Sequence, residues 1–224
     1  MLKTAVSDFA LFGGESAFSR PLTTMNLVQP DREVFYTYAR ASFEARWLSN
    51  NGPSVRILEQ RLADFHGVRH CIAMSNGFTA ICLALYALAL PGRKEVVLSP
   101  LTYRRMADIV DWAGLVPRFC DVDPHTQAIS PQTAETCIND NTAIILAPHP
   151  RVHLCDISGM EALAARHELP LVFDSVEPCG ATYNGVPLGR FGNCEAFSMH
   201  ADKVINACEG GYLTTNDDQL AHKL

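Results

Sequence analysis

The stretch HCIAMSNGFTAICLALYALALPGRKEVVLSP, residues 70–100, decides the fold class. It opens on a short apolar run, HCIAMS, and passes through the polar turn Ser75-Asn76-Gly77 into TAICLALYALAL, which has the composition of a helix. After Pro91-Gly92 a second short apolar run, EVVLSP, follows. A strand, a helix and a strand of these lengths form one βαβ unit, whose two strands lie parallel. The alternation then continues: RRMADIVDWAG reads as helix, VPRFCDV as strand, SPQTAETCI as short helix, TAIILAP as strand and SGMEALAARHE as helix. PLVFDS, EAFSMH and GGYLTTN read as three further strands. Short runs rich in Val, Ile and Phe between amphipathic helices predict an α/β fold, with a mostly parallel central sheet and helices on both faces.

Upstream, residues 1–30 carry breaks at Gly13-Gly14, Pro21 and Pro30 and read as an extended N-terminal arm. Asp31 is placed to cap a helix through REVFYTYARASFEAR, and SNNGPS is a turn. VRILEQRLADFHG then sets Val55, Leu58, Leu62 and Phe65 at helical spacing and stops at Gly67. Residues 31–224 are thus expected to form one large domain. With 224 residues, 48% of them hydrophobic, the chain is long enough to bury a core of that size. A net charge of -6 without a Lys/Arg cluster argues against nucleic acid or an anionic membrane as partner. No stretch approaches the ~18 apolar residues of a membrane span, and the first residues lack the pattern of a secretory signal, so a soluble cytoplasmic protein is expected. The eight cysteines form no C-x-x-C pair and several sit in apolar runs, which predicts buried free thiols and no metal site.

In open α/β sheets the ligand lies beyond the carboxyl ends of the strands. Asp174 ends the apolar run LPLVF, where a carboxylate needs a positive partner: a structural Arg or Lys, or a protonated pyridine nitrogen. The turn at Gly77 leads from strand to helix, and free amides at a helix N-terminus together with Ser75 and Thr79 suit a phosphate. Such a turn is common in any α/β protein. Lys203 follows FSMH and precedes VINA. It is either a solvated surface lysine or a partly dry amine able to form a Schiff base. Taken together, Asp174, Lys203 and a phosphate cup are the minimal set for pyridoxal 5'-phosphate.

The segment AFSMHADKVINACEGGYLTTND, residues 196–217, resembles the lysine segment of the DegT/DnrJ/EryC1/StrS sugar aminotransferases, approximately F-S-F-H-x-x-K-N followed by E-G-G and an apolar strand ending in T-N-D. WLSNNGPSVRILEQRLADFHGVRHCIAMSNG, LSPLTYRRMADIVDWAGLVPRFCDVDPHT and LPLVFDSVEPCGATYNGVPLGRFGNCEAFS resemble further family stretches, so the likeness runs from about Arg46 onward. It implies the large domain of a fold type I transferase. The resemblance further implies that Lys203 binds the cofactor covalently and moves a proton, and that Asp174 pairs with the pyridine nitrogen. Glu177 then stands where the family more often has glutamine near the ring hydroxyl, Tyr103 stacks on the ring, and Ser198 with Gly77, Phe78 and Thr79 holds the phosphate. His200 is either a catalytic residue that positions cofactor or substrate, or a hydrogen-bonded loop histidine. The implied reaction is transamination of a nucleotide-linked keto sugar, in amino-sugar, polysaccharide or natural-product biosynthesis, with glutamate as donor, by a homodimer.

Three departures accompany the resemblance. Phe78 replaces a threonine, HPRVHLCDISGM replaces His-Leu-Tyr-Gly, and Val204 replaces the asparagine after the lysine. Family members also carry a C-terminal small domain, which is expected to be missing here. A truncated, non-catalytic cofactor-binding or regulatory relic is therefore the alternative. A nucleotide-binding Rossmann enzyme fits less well, because no strand is followed by G-x-G-x-x-G.

Overall fold

The computed structural model describes residues 3–20, 29–151 and 153–224. Nine strands and seven α-helices alternate along it. The strands are β1 (His70–Met74), β2 (Glu95–Leu98), β3 (Val116–Phe119), β4 (Thr142–Pro148), β5 (Leu171–Asp174), β6 (Thr182–Tyr183), β7 (Val186–Pro187), β8 (Cys194–Ser198) and β9 (Gly211–Thr215). The helices are α1 (Arg32–Glu44), α2 (Pro53–His66), α3 (Gly77–Leu88), α4 (Met106–Trp112), α5 (Pro131–Glu135), α6 (Ile157–Arg166) and α7 (Asp218–Lys223).

Seven strands form one sheet in the order β1-β9-β8-β5-β4-β2-β3. The pairs from β8 to β3 are parallel, whereas β9 runs antiparallel to both β8 and β1. The antiparallel strand follows from its connection: residues 199–210 contain no helix, so the chain turns back on itself instead of crossing over. That return loop carries Lys203.

Alternate residues of the central strands point to opposite faces, and both faces are covered. Val96, Leu98, Ile144 and Leu146 pack with residues of α3 and α4, whereas Val97, Ile145, Ala147 and Phe173 pack with α5 and α6. All seven residues of β4 are buried, as expected of a strand covered on both faces. A third cluster joins Leu62 and Ala63 of α2 to Phe197 and Tyr212.

Local signals act as read at several ends. The Asp31 carboxylate accepts from the Val34 amide at 3.0 Å, capping α1, and Gly67 closes α2 with φ 67°. Three features of secondary structure differ from the sequence expectation. Residues 3–20, read as an extended arm, contain two 3-10 turns at Val6–Asp8 and Ala10–Phe12, because the Asp8 carboxylate gathers the amides of Thr4 and Ala5. Residues 21–28 of that arm lie outside the described residues. The unexpected β6–β7 hairpin turns at Asn184-Gly185, with φ 50° and 78°, the geometry that Asn-Gly favours. Residues 218–223 form α7, capped by the Asp217 carboxylate. All eight cysteines are free thiols; five are buried, but Cys208 is exposed, contrary to expectation, because it lies in the return loop.

One buried charge organises the loops. Glu195 on β8 is fully buried and accepts from the Ser175 hydroxyl, the Gly189 amide at 2.6 Å and the Phe191 amide at 2.9 Å. Burial raises its pKa, opposed by these donors. Glu195→Ala leaves three donors without an acceptor, at a cost of about 3 kcal/mol or more. For a chain of this size the melting temperature is expected to fall by roughly 6–12 °C, measured by circular dichroism.

Candidate active site

Six chain segments, among them the β3–α5 connection with Gln127, meet at the carboxyl edge of the sheet around a cavity of about 950 Å³. The β1–α3 turn supplies Asn76, Gly77, Phe78 and Thr79; the loop after β2 supplies Tyr103 and Arg105. His149 and Arg151 follow β4, Asp174 and Glu177 end and follow β5, and the β8–β9 loop brings Ser198, His200, Asp202, Lys203 and Glu209. Every residue expected from the sequence at the site lines this cavity, except Ser75.

The α3 N-terminus is built by a residue the sequence reading passed over. Asn76 caps the helix, its side-chain oxygen accepting from the Thr79 amide at 2.8 Å and the Thr79 hydroxyl at 2.9 Å. The helix therefore begins at Gly77, two residues earlier than the apolar pattern suggests. Because the Thr79 amide is already bonded, the amides of Gly77 and Phe78 are the ones left to face an anion. Asn before a helical run is an N-cap signal, and it was available in the sequence. The same turn explains Gly211: a Cβ there would lie 2.3 Å from the Asn76 carbonyl carbon and 2.5 Å from the Gly77 nitrogen. Phe78 turns its ring toward Trp112 and lies beneath the Arg105 guanidinium at 5.0 Å, so its side chain adds no hydroxyl to the cup.

Asp174 is buried, and burial raises its pKa to about 6. The Val176 amide bonds its carboxylate at 3.2 Å and works against the shift, Glu177 adds to it, and the charge of Lys203 opposes it. Among the described residues no cation forms an ion pair with it. His149 next to it is neutral, its pKa lowered to about 4 by burial. Its ring stacks on Phe173, and its Nδ1 accepts from the Cys155 amide at 3.2 Å, which leaves the proton on Nε2. That N–H is buried and has no partner among the described residues.

Lys203 is 16% exposed, and its ammonium donates to Glu177 Oε1 at 2.9 Å. Asp202 Oδ1 stands 3.9 Å away. The Arg151 guanidinium meets the other oxygen of Glu177 at 3.1 Å. The His200 side chain bonds Asp202 at 2.7 Å and approaches Glu209 at 3.6 Å, so its partners lie on its own loop; its backbone carbonyl accepts from the Lys203 amide at 2.9 Å, but among the described residues its ring has no bond to the side chain of Lys203 or Asp174. The His200 imidazole in turn lowers the Asp202 pKa. Ser198 lies beneath the α3 N-terminus, its hydroxyl accepting from the His200 amide at 3.2 Å. Arg151, Asn76 and His149 are cavity residues at strand ends to which the sequence assigned no role.

A buried acid without a cation, an amine on the opposite loop, free helix amides and an orphaned imidazole N–H together fit pyridoxal 5'-phosphate. The acid suits the ring nitrogen, the amine the aldehyde, and the amides the phosphate. No helix of the described residues is long and apolar enough to cross a membrane, and these residues contain no group of His, Cys, Asp or Glu arranged to hold a metal ion.

Known proteins are similar to this chain in sequence and architecture. GDP-perosamine synthase from Caulobacter vibrioides is 37% identical over 187 residues, 84% of this chain and 50% of that protein. L-glutamine:2-deoxy-scyllo-inosose aminotransferase from Streptomyces fradiae is 34% identical over 225 residues, 98% of this chain and 52% of that protein. The crystal structure of DesI in the presence of its TDP-sugar product superposes with a TM-score of 0.89 at 34% identity, covering 98% of this chain and 55% of that one. The chain thus spans about half the length of the relatives it matches. The sequence profile of the DegT/DnrJ/EryC1/StrS aminotransferases matches residues 30–224. The chain belongs to the DegT/DnrJ/EryC1/StrS aminotransferase family, whose cofactor is pyridoxal 5'-phosphate.

Proposed function

We propose that this chain carries the cofactor-binding part of an aminotransferase that moves an amino group from glutamate to a nucleotide-linked keto sugar, and that it acts as a homodimer. The observation that carries the reading is the placement of Lys203 and Asp174 on one cavity with the α3 N-terminus. Relatives named GDP-perosamine synthase and a neighbour crystallised with its TDP-sugar product support a nucleotide-linked acceptor.

When bound, pyridoxal 5'-phosphate supplies an aldehyde that receives the amino group and a ring that accepts electron density. The Gly77 and Phe78 amides and the Ser198 hydroxyl bind the phosphate, and the dipole of α3 favours its charge. Asp174 holds a proton at the ring nitrogen. A protonated ring nitrogen there would relieve the buried carboxylate of its unpartnered state. Tyr103 would cover the ring, and Lys203 would hold the group through its Nζ and move a proton there. Glu177 bonds Lys203 directly, so its reach to the ring hydroxyl depends on release of that contact.

The test is addition of pyridoxal 5'-phosphate to the purified chain, borohydride reduction and peptide mapping, with glutamate and glutamine added in parallel before reduction. The expected result is one adduct at Lys203 and an absorbance band bleached by glutamate. Absence of an adduct at Lys203 would overturn the reading. An adduct with a band that neither donor bleaches would favour the non-catalytic alternative.

A further inference from the structure

Glu177 receives two cations from two different strand ends. Arg151, after β4, meets Oε2 at 3.1 Å, while Lys203, in the β8–β9 loop, meets Oε1 at 2.9 Å. All three side chains line the cavity. An amine that reacts must first leave its carboxylate partner and lose its proton. A carboxylate abandoned in a partly buried site is costly unless another cation stays with it. Arg151 is already in place for that, and a guanidinium keeps its charge at any relevant pH.

We infer that Arg151 is a positioning residue for Lys203: by sharing the Glu177 carboxylate it loosens the hold on the Lys203 ammonium and keeps Glu177 paired when the amine leaves. The inference rests on the reading that Lys203 is the cofactor lysine. It also gives a physical role to the acid at 177 and the cation at 151. With both cations present, Glu177 is divided between them. Without Arg151, the whole charge of Glu177 falls on Lys203. Asp174, Asp202 and Glu209 are the other acids on the cavity, and His149, His200 and Arg105 its remaining basic side chains. His200 is engaged by Asp202, and Arg105 by Asp108 at 3.0 Å, so neither takes the place of Arg151 at Glu177.

The experiment is trace acetylation of the cofactor-free chain at neutral pH, read by mass spectrometry, with Lys3, Lys94 and Lys223 as internal references. Arg151→Gln is expected to lower Lys203 labelling about threefold, the size of effect a half-exposed ion pair can exert. Glu177→Gln is expected to raise it, the double variant to restore at least the wild-type level, and Arg151→Lys to stay near wild type. Rescue by Glu177→Gln separates charge sharing from a merely structural role for Arg151. Unchanged labelling in Arg151→Gln, or a double variant as unreactive as Arg151→Gln, would overturn the inference. Borohydride-trapped pyridoxal 5'-phosphate at Lys203 should follow the same order across the four variants. Equal trapping in all of them counts against Arg151, whereas no trapping even in the wild-type chain counts against the aminotransferase reading and leaves the acetylation result to decide on Arg151.

Discussion

Lys203→Ala is expected to abolish covalent retention of pyridoxal 5'-phosphate while leaving the fold in place. The ammonium contributes a partly exposed ion pair with Glu177 and lies outside the three apolar clusters, so its loss should change stability by no more than about 1 kcal/mol. Glu177 keeps Arg151 as partner in the variant. Chemistry is affected far more. Proton transfer by a placed side chain is worth roughly 10²- to 10⁴-fold. Loss of the amine also removes the nucleophile, so transamination should fall by at least about 10³-fold. The measurement is borohydride trapping with mass mapping, alongside a thermal melt. An adduct that persists in the variant, on Lys94 or Lys223, would place the attachment elsewhere and remove the chemical reading of the cavity.

Asp174→Asn is expected to separate stability from function. The folded-state pKa of Asp174 is raised from 3.8 to about 6, chiefly by burial. Between those two values the folded chain keeps a proton that the unfolded chain has released. Stability from this group is therefore retained at low pH and lost as the pH rises through the window from about 4 to about 6. The shift from 3.8 to about 6 amounts to something on the order of 3 kcal/mol at pH 7. An uncharged asparagine avoids much of that cost. The cofactor-free variant should melt roughly 4–8 °C above the wild-type chain at pH 7, with the difference vanishing near pH 4. Transamination should nonetheless fall by at least about 10²-fold, because the negative charge that holds a proton at the ring nitrogen is gone. A variant that is no more stable than wild type at pH 7 would show that Asp174 is already compensated in the folded chain. Glu195 is also raised by burial and weakens the chain in the same direction with rising pH, so the difference between variant and wild type is the quantity that isolates Asp174.

Much of the frame was legible because it is written in local patterns. The Asp31 cap, the Gly67 stop and the continuous apolar run of β4 each express a backbone or burial constraint felt within a few residues. The Asn76 cap, the Asn184-Gly185 hairpin and the Asp217 cap of α7 were written in the same local code, though the apolar pattern drew attention away from them. Glu195 was not legible: a glutamate in a strand looks the same whether it faces water or, as here, the amides of a distant turn. His200 was legible only as a choice between two roles, and its bonds to Asp202 and toward Glu209 show that it is tied to its own loop.

The amino-acid sequence by itself determined an α/β sheet, the residues at the carboxyl ends of its strands, and the family to which those residues point, since each depends on periodicity or on motifs a few residues long. Only the tertiary structure decided which of these ends meet. Arg151 and Lys203 each lie 26 residues from Glu177 along the chain, on opposite sides of it, and nothing local links them. They converge because the crossovers set β4, β5 and β8 side by side, and because the antiparallel return into β9 hangs the lysine loop over that edge. Charge pairing across strand ends is a property of strand order, and strand order is settled by packing over the whole sheet.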